Sequence, residues 1–152
     1  MIVYRNGDIF SSRADAIINP VNCVGVMGAG LARQFKERFP ENFSLYSTAC
    51  SKGCVKVGAI LVVKVPLSGC CKYVINFPTK LDWRNPSKLS WIVSGLRELR
   101  QILLSEEQVI KSVAIPRLGC GLGGLHWEDV RKEIENELKE LPHTIYVYGD
   151  SE

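Results

Sequence analysis

The sequence lacks the features that mark membrane-spanning, secreted or strongly charged proteins. Its 152 residues carry 19 Lys and Arg against 16 Asp and Glu, so the net charge is only +3. No apolar run approaches the ~18 residues of a membrane span, and the run at residues 60–63 ends at Lys64. The first residues lack the charged-then-apolar profile of a secretory signal. We therefore expect a cytoplasmic protein whose mild charge permits an anionic ligand without requiring nucleic acid.

Histidine is scarce, and the cysteines form no metal-binding pattern. His126 and His143 are the only histidines, and they lie far apart. The six cysteines include no paired C-x-x-C motif, so we expect no zinc site and no other cofactor. The absence of an export signal and a length sufficient for a core oppose a disulfide framework. The cysteines are interpreted as small buried hydrophobes with a few surface thiols.

The composition indicates one ordinary globular domain spanning residues 1–152. Hydrophobic residues make up 46% and charged residues 23%, which is typical of globular proteins. Short β-rich runs alternate with amphipathic segments, without repeats or low-complexity tracts. This alternation predicts an α/β layered sheet, in which ligands bind beyond the carboxyl ends of the strands.

The pattern predicts six strands and four helices. The strands are expected at residues 2–4, 16–18, 59–65, 72–77, 112–115 and 144–148, with loops at residues 19–30 and 66–70. The first helix begins at Gly30 and is stopped by Pro40, and a shorter one covers residues 41–51. A third helix begins at residues 85–86, where an asparagine cap precedes a proline. The last runs from Trp127 to Leu141.

Two glycine-rich segments each leave a predicted strand and lead to a predicted helix. The first covers residues 19–30 and the second residues 116–124. Glycines let a backbone approach a ligand closely, and the free N–H groups at a helix start favour an anion. Together the segments predict a clamp for two linked phosphates. The alternative is that the glycines only form tight turns.

The second segment also matches a dinucleotide-binding pattern. Gly119, Gly121 and Gly124 fit G-x-G-x-x-G, and Asp150 stands loosely where a ribose-binding acid is expected. However, the match leaves only one helix and one strand after it, whereas a nicotinamide-binding fold begins with this unit. The first segment has Arg33 in place of the third glycine. A dehydrogenase is therefore not favoured.

Several motifs resemble those of the macrodomain family, whose members bind ADP-ribose. They are NGDI at residues 6–9, INPVN at 18–22, GAG at 28–30, PRLGCGL at 116–122, and the aromatic end of the last strand. The resemblance covers nearly the whole chain and implies a three-layer αβα macrodomain with a central mixed sheet of about six strands. The segment NFPTK at residues 76–80, followed by Trp83, is most similar to the branch containing the terminal ADP-ribose glycohydrolases and the DarG-type antitoxins.

This branch implies an enzyme. DarG-type antitoxins remove ADP-ribose from thymidine bases in DNA, so the resemblance implies hydrolysis of that N-glycosidic bond. Lys80 is the implied catalytic residue, acting at or near the anomeric carbon of the distal ribose. An amine attacks only when neutral, so this role requires a buried side chain. The implied partners are ADP-ribose, ADP-ribosylated DNA with a single-stranded or flipped-out thymidine, and a cognate ADP-ribosyltransferase toxin.

The resemblance also implies a ligand-binding set. Asp8 and the Ile9 N–H would meet the adenine, Tyr148 would stack on it, and Asn22 would bond the distal ribose. The diphosphate would be wrapped by N–H groups of Met27, Gly28, Ala29, Gly30, Leu118, Gly119, Cys120, Gly121 and Leu122. Trp83 and Arg84 would form a DNA-contacting edge, and Arg117 and His126 receive no role. Without the motifs, Asp8 and Asn22 read as turn residues, Tyr148 as core, and Trp83 as a packed side chain beside a surface arginine.

At position 123 this sequence has a glycine where part of the branch has another residue. In the protein-directed glycohydrolase a catalytic aspartate occupies this position, so its absence argues against protein-glutamate substrates and fits the DarG-type pattern. Two other hypotheses stay open: a non-enzymatic ADP-ribose-binding module, and a hydrolase of protein-glutamate-linked or O-acetyl ADP-ribose. DarG-type proteins commonly carry a further C-terminal region, so the chain is either a natural single domain or an excised one.

Overall fold

Six strands form one mixed sheet in this computed structural model, which describes residues 1–66, 71–105 and 109–149. The strands are β1 (Ile2–Arg5), β2 (Ala16–Asn22), β3 (Leu61–Lys64), β4 (Tyr73–Lys80), β5 (Ser112–Ile115) and β6 (Thr144–Tyr148). Their order is β1-β6-β5-β2-β4-β3. Within the described ranges β3 runs antiparallel to β4 and the other pairs are parallel. Asp150 and residues 67–70, including Cys70, lie outside these ranges.

Helices cover both faces of the sheet. They are α1 (Gly30–Arg38), α2 (Pro40–Ser51), α3 (Leu89–Leu104) and α4 (Trp127–Leu138). Successive strand residues face opposite sides: in β2, Ile18 belongs to the core shared with α3 and α4, whereas Ile17 belongs to the core containing Phe35 of α1. Both faces are apolar, as expected for buried parallel strands. The predicted three-layer αβα architecture is confirmed.

The strands β2 and β4 extend further than the sequence predicts. The sequence predicts that β2 ends at residue 18, before Asn19 and Pro20, and that β4 ends at residue 77. Instead Pro20 and Pro78 lie inside the strands, and the pairing shifts register between Val21 and Asn22. Asn22 and Lys80 consequently become register partners at the strand ends. Lys80 is therefore the last residue of a strand rather than a loop residue.

The third helix begins later than predicted. It starts at Leu89 with Lys88 as its cap, not at residues 85–86. The Asn85 N–H donates to the Asp82 carbonyl at 3.1 Å, and the Ser87 N–H donates to the Gly123 carbonyl at 3.0 Å. These bonds tie the preceding segment to neighbouring loops. The last helix also ends earlier than expected, at Leu138, and none of the described helices is long and apolar enough to cross a membrane.

Candidate functional site

The carboxyl ends of five parallel strands lie along one edge of the sheet. In spatial order they belong to β1, β6, β5, β2 and β4. With strands about 4.8 Å apart, this edge is about 19 Å long. The first glycine loop follows β2 and the second follows β5, so the two loops leave adjacent strands. This edge is where an open α/β sheet binds its ligand.

A cavity of about 590 Å³ opens at this edge. Its walls come from the first glycine loop, the first turn of α1, the ends of β2 and β4, and the second glycine loop. The polar side chains that line it belong to Asn22, Thr79, Lys80, Arg117 and Cys120. None of the described lining residues is Asp, Glu or His.

The side chain of Asn22 holds the first glycine loop in place. Its Oδ1 accepts the N–H groups of Val24 and Val26 at 3.1 and 3.3 Å, and its Nδ2 donates to the Val26 carbonyl at 2.7 Å. The Tyr46 hydroxyl on α2 lies 2.8 Å from the same Oδ1 and 2.7 Å from the Asn22 carbonyl oxygen. Burial raises the pKa of Tyr46, so the hydroxyl stays a donor. One N–H of the Asn22 amide remains for a ligand.

A buried layer of asparagines supports this loop from below. The Asn76 Oδ1 accepts from Asn19 and Asn42 at 3.1 Å each, and the Asn76 Nδ2 donates to the Asn42 Oδ1 at 2.8 Å. The Asn19 amide also lies 3.7 Å from the Met27 sulfur. Buried side-chain amides are usually hydrogen-bonded in this way, and within this layer Asn19 Oδ1 is the atom left without a partner among the described residues. The layer therefore fixes β2, β4 and α2 relative to the loop.

The first turn of α1 points unpaired N–H groups at the cavity. Gly30, Leu31 and Ala32 line the cavity, and the capping residue Ala29 makes no side-chain hydrogen bond to them. The first N–H groups of a helix have no partner within it. Gly30 has a φ of +58°, which favours glycine. This turn is suited to bind a phosphate.

The second glycine loop is a closed turn rather than a helix start. Leu125 donates to the Gly119 carbonyl at 2.9 Å, and Gly124 donates to the Gly121 carbonyl at 3.2 Å. The helix α4 begins only at Trp127, which is not among the cavity-lining residues. The segment leads to a helix that begins at Trp127, as predicted, but the part that lines the cavity is this closed turn. Its residues from Gly119 to Gly123 still line the cavity.

Gly123 has no room for a side chain. A Cβ at this position would lie 2.3 Å from the Gly119 carbonyl oxygen and 2.5 Å from Ser87 Oγ. At Gly121, by contrast, no atom lies within 4 Å of the Cβ position. Only glycine therefore fits at residue 123 in this backbone.

Lys80 lines the cavity wall. The side chain is half-buried, and Nζ donates to the Trp83 carbonyl at 3.3 Å. The only thiol in the described lining belongs to Cys120; burial raises its pKa, and it donates to the Leu118 carbonyl at 3.5 Å. A protonated thiol is a poor nucleophile. The described lining thus holds one amine, that of Lys80, beside this protonated thiol.

Trp83 and Arg84 form an exposed edge beside the cavity. The Trp83 side chain is 54% exposed, and the Arg84 guanidinium lies 5.6 Å from its ring centroid. Arg84 also donates to both carboxylate oxygens of Asp82, at 3.0 and 2.7 Å. Hydrogen bonds from Arg84 lower the pKa of Asp82 to about 2. The charge of Arg84 is therefore balanced by its neighbour.

The profile of the Macro domain family matches residues 18–134. The chain belongs to the macrodomain family. This macrodomain is 47% identical over 142 residues to the DNA ADP-ribosyl glycohydrolase of Mycobacterium tuberculosis. The match covers 93% of this chain but only 40% of that relative, so the macrodomain spans less than half of the relative's length.

Solved structures agree with this assignment. The macrodomain of Mycobacterium tuberculosis DarG is similar with a TM-score of 0.93 and 45% identity, and the match covers 99% of both chains. Thermosipho africanus DarTG, solved in complex with ADP-ribose, is similar with a TM-score of 0.86 and 34% identity over 96% of this macrodomain and 41% of that chain.

The cavity brings together most of the residues singled out from the sequence of this macrodomain. Those that line it are Asn22, Gly28, Ala29, Gly30, Lys80, Trp83, Gly119, Cys120, Gly121 and Leu122. Met27, Leu118 and Ile9 are instead buried in the core. Asp8 and Tyr148 lie at the opposite end of the same strand edge. There the Asp8 carboxylate accepts the Phe10 N–H at 3.0 Å, and Tyr148 ends β6 beside Arg5.

Sequence reasoning missed several residues that shape the site. Tyr46, Asn42 and Ser87 received no role, although each contacts a loop residue or its support. The i, i+4 spacing of Asn42 and Tyr46 on one helix face was a usable signal for a buried polar stripe. The sequence has no signal for Ser87, because its contact with the second loop depends on the fold.

Proposed function

We propose that this macrodomain is an ADP-ribosyl glycohydrolase that removes ADP-ribose from thymidine bases in DNA. The observation that carries the proposal is that Lys80, the register partner of Asn22, lines the same cavity as both glycine loops. The relatives named DNA ADP-ribosyl glycohydrolase support the reaction class. Because the chain spans about 40% of their length, the antitoxin role and a cognate ADP-ribosyltransferase partner are part of the proposal.

The ligand would lie along the strand edge. The diphosphate would sit between the N–H groups of the α1 first turn and those of the second glycine loop. Its adenine would extend toward Asp8, Ile9 and Tyr148, and its distal ribose toward Asn22 and Lys80. The edge is about 19 Å long, which suits an extended nucleotide diphosphate sugar.

The reaction needs an amine at the anomeric carbon. In its neutral form, Lys80 Nζ bonds to that carbon while the bond to the base nitrogen breaks, and the proton that Nζ loses on forming this bond passes to the base nitrogen. Water then attacks the same carbon, releasing ADP-ribose and returning the amine. The side chain is only half-buried in the free protein, so the bound substrate completes its shielding from water.

The blocked position at Gly123 favours a DNA-linked substrate over a protein-linked ester. The carboxylate used by protein-directed glycohydrolases has no room there, since even a Cβ would overlap the Gly119 carbonyl. The same absence of a carboxylate in the described lining supports a second candidate, a non-enzymatic ADP-ribose-binding module. Hydrolysis of O-acetyl or glutamate-linked ADP-ribose is the least supported of the three.

We also propose that residues 1–152 act as a single macrodomain in the cytoplasm. The free thiols of Cys23, Cys50 and Cys54 suit a reducing compartment. A similar DarG macrodomain structure matches 99% of this chain, which supports a single unit.

A substrate panel tests the proposal. The protein is incubated with an oligonucleotide ADP-ribosylated on thymidine, with a glutamate-ADP-ribosylated protein and with O-acetyl ADP-ribose, and binding of free ADP-ribose is measured by calorimetry. We expect binding together with release from the oligonucleotide only. Binding without release from any substrate would identify a binding module, and release only from the esters would identify the third function.

A further inference from the structure

Ser87 carries a buried hydroxyl that has no hydrogen-bond partner among the described residues. The residue is 7% exposed and lies between β4 and α3, directly before Lys88, which caps the helix. Its Oγ neither donates nor accepts a hydrogen bond within the described part of the chain. A buried hydroxyl without a partner is unfavourable, so such an atom in a native protein calls for an explanation. The groups that surround Ser87 supply one.

The Ser87 hydroxyl lies against the second glycine loop without lining the cavity. The Ser87 N–H donates to the Gly123 carbonyl at 3.0 Å, which ties Ser87 to this loop. Ser87 Oγ and the Gly119 carbonyl oxygen both lie within 2.5 Å of the Cβ position of Gly123. A donor and an acceptor therefore lie on either side of the space that a side chain at residue 123 would fill. A shift of at most about 2 Å would bring them to the length of an O–H···O hydrogen bond.

The Gly119 carbonyl can accept this hydrogen bond. It already accepts the Leu125 N–H at 2.9 Å, and a carbonyl oxygen has a second lone pair for the hydroxyl. Gly119 has a φ of +72°, a region in which glycine moves with little steric resistance. Because residue 123 is glycine, no Cβ stands between the hydroxyl and the carbonyl. The hydrogen bond therefore gives a reason for glycine at this position.

The same loop carries unpaired donors at the cavity. The N–H groups of Gly121, Leu122 and Gly123 make no hydrogen bond with the described residues, and all three residues line the cavity. Successive backbone N–H groups in a turn form sites for anions such as phosphate. Since backbone hydrogen bonds close this segment into one turn, a shift of these N–H groups onto a phosphate also moves the Gly119 carbonyl.

We propose that Ser87 is a positioning residue for the diphosphate of ADP-ribose, and that its hydroxyl donates to the Gly119 carbonyl once the second glycine loop has shifted to bind a phosphate. This inference rests on the proposed function and extends it to a residue outside the cavity. In the free protein the hydroxyl is unpaired and adds no stability. In the bound protein its hydrogen bond holds the loop on the ligand, so Ser87 contributes to affinity.

The test compares Ser87→Ala with the wild type in the free and the bound state. Thermal unfolding of the free variant should occur at the wild-type temperature or slightly above it, because an unpaired buried hydroxyl is removed. Calorimetry should give a Kd for ADP-ribose about ten-fold higher. On the thymidine-modified oligonucleotide we expect KM to rise and kcat to stay unchanged, because Lys80 is not altered. Ser90→Ala, at an exposed position in the first turn of α3, is the control and should change none of these values.

Two results with the variant would overturn the inference. One is an unchanged Kd, and the other is a free Ser87→Ala that unfolds at a clearly lower temperature, which would make the hydroxyl a structural group. A crystal structure of the wild type with ADP-ribose gives a reading that does not depend on the variant. We expect Ser87 Oγ within about 3.0 Å of the Gly119 carbonyl oxygen, and two atoms left without this bond would overturn the inference.

These results are distinguishable from a failure of the proposed function. That function fails when the wild type releases no ADP-ribose from the oligonucleotide. Calorimetry and the crystal structure then still decide on Ser87, because both measure ADP-ribose binding without turnover. A wild-type protein that does not bind ADP-ribose would overturn both proposals.

Discussion

At the scale of single residues, Tyr46, a buried residue of α2, joins this helix to the first glycine loop. Its hydroxyl reaches both the carbonyl and the Oδ1 of Asn22, which in turn binds two N–H groups of the loop. Asn22 thus shapes the first glycine loop through its own hydrogen bonds.

The variant Tyr46→Phe should therefore weaken both the fold and the site. The Asn22 carbonyl and Oδ1 lose the one hydroxyl proton that they share, which costs about 1–2 kcal/mol in the free energy of unfolding. ADP-ribose affinity should also fall, because the loop is held less firmly. Urea unfolding and calorimetry measure the two effects. Tyr146→Phe is the control, because its hydroxyl makes no hydrogen bond with the described residues and it should show neither effect.

Gly123 should tolerate no side chain. The variant Gly123→Ala places a Cβ against the Gly119 carbonyl and Ser87 Oγ. Overlap of this kind typically costs about 1–3 kcal/mol. Thermal unfolding should show the loss, and Gly121→Ala, whose Cβ meets open space, should unfold near the wild-type temperature. A fully stable Gly123→Ala would show that the second loop rearranges easily.

At the scale of the secondary structure elements, α3 packs directly on β4. A Cβ on Gly95 would lie 2.2 Å from Cζ of the Phe77 ring, so the helix backbone touches the ring. Phe77 lies three residues before Lys80 in β4, so the packing of α3 on Phe77 helps to fix the strand that carries Lys80.

The variant Gly95→Ala should destabilise the protein although alanine favours helices. Its intrinsic gain is about 1 kcal/mol, and we expect the clash with Phe77 to exceed it, giving a net loss of about 1–3 kcal/mol. Chemical denaturation measures the difference. Ser94→Ala, at an exposed position on the same helix, should be neutral within about 0.5 kcal/mol. Net stabilisation of Gly95→Ala would mean that Phe77 moves aside freely.

Element types could be predicted from the sequence, but some boundaries could not. Alternating apolar residues indicated β5 and β6 with their observed bounds. The sequence predicts that β2 ends before Pro20 and β4 before Pro78. In the structure the pairing between these two strands continues past both prolines, with a register shift. Sequence motifs indicated the two glycine loops and Lys80 as candidate site residues. Two features could not be predicted, because both depend on tertiary contacts that no local pattern encodes. They are the lack of space for a side chain at Gly123 and the hydrogen bonds between Asn22 and Tyr46.

At the scale of the whole molecule, one side-chain pair ties the edge strand β1 to α4. The Tyr4 hydroxyl donates to Glu135, and this bond lowers the pKa of Glu135. Burial, followed by the bond to Glu135, raises the pKa of Tyr4. Because the pKa of Glu135 is lowered in the folded protein, Glu135 stabilises the fold at pH values above the usual glutamate pKa, and this stabilisation is lost as the pH falls below it. Because the pKa of Tyr4 is raised in the folded protein, Tyr4 stabilises the fold at pH values below the usual tyrosine pKa, and this stabilisation is lost as the pH rises above it.

The stability of the protein should therefore fall at both ends of the pH range in a way that depends on this pair. In Tyr4→Phe we expect the free energy of unfolding to fall less steeply with pH than in the wild type. This should hold on the acid limb of the curve, near the usual glutamate pKa, and on the alkaline limb, above the usual tyrosine pKa. Unfolding free energies measured from pH 3 to 11 test this. Tyr73→Phe serves as control and should keep both limbs. Unchanged limbs in Tyr4→Phe would exclude the pair as their source.

The central claim is that the Lys80 amine turns an ADP-ribose-binding cavity into a glycohydrolase. Its most direct test is single-turnover release of ADP-ribose from a thymidine-modified oligonucleotide by wild type and Lys80→Ala, with ADP-ribose binding measured by calorimetry on both. The account predicts loss of release by about 100-fold or more with binding preserved in Lys80→Ala. Release at the wild-type rate by Lys80→Ala would contradict it.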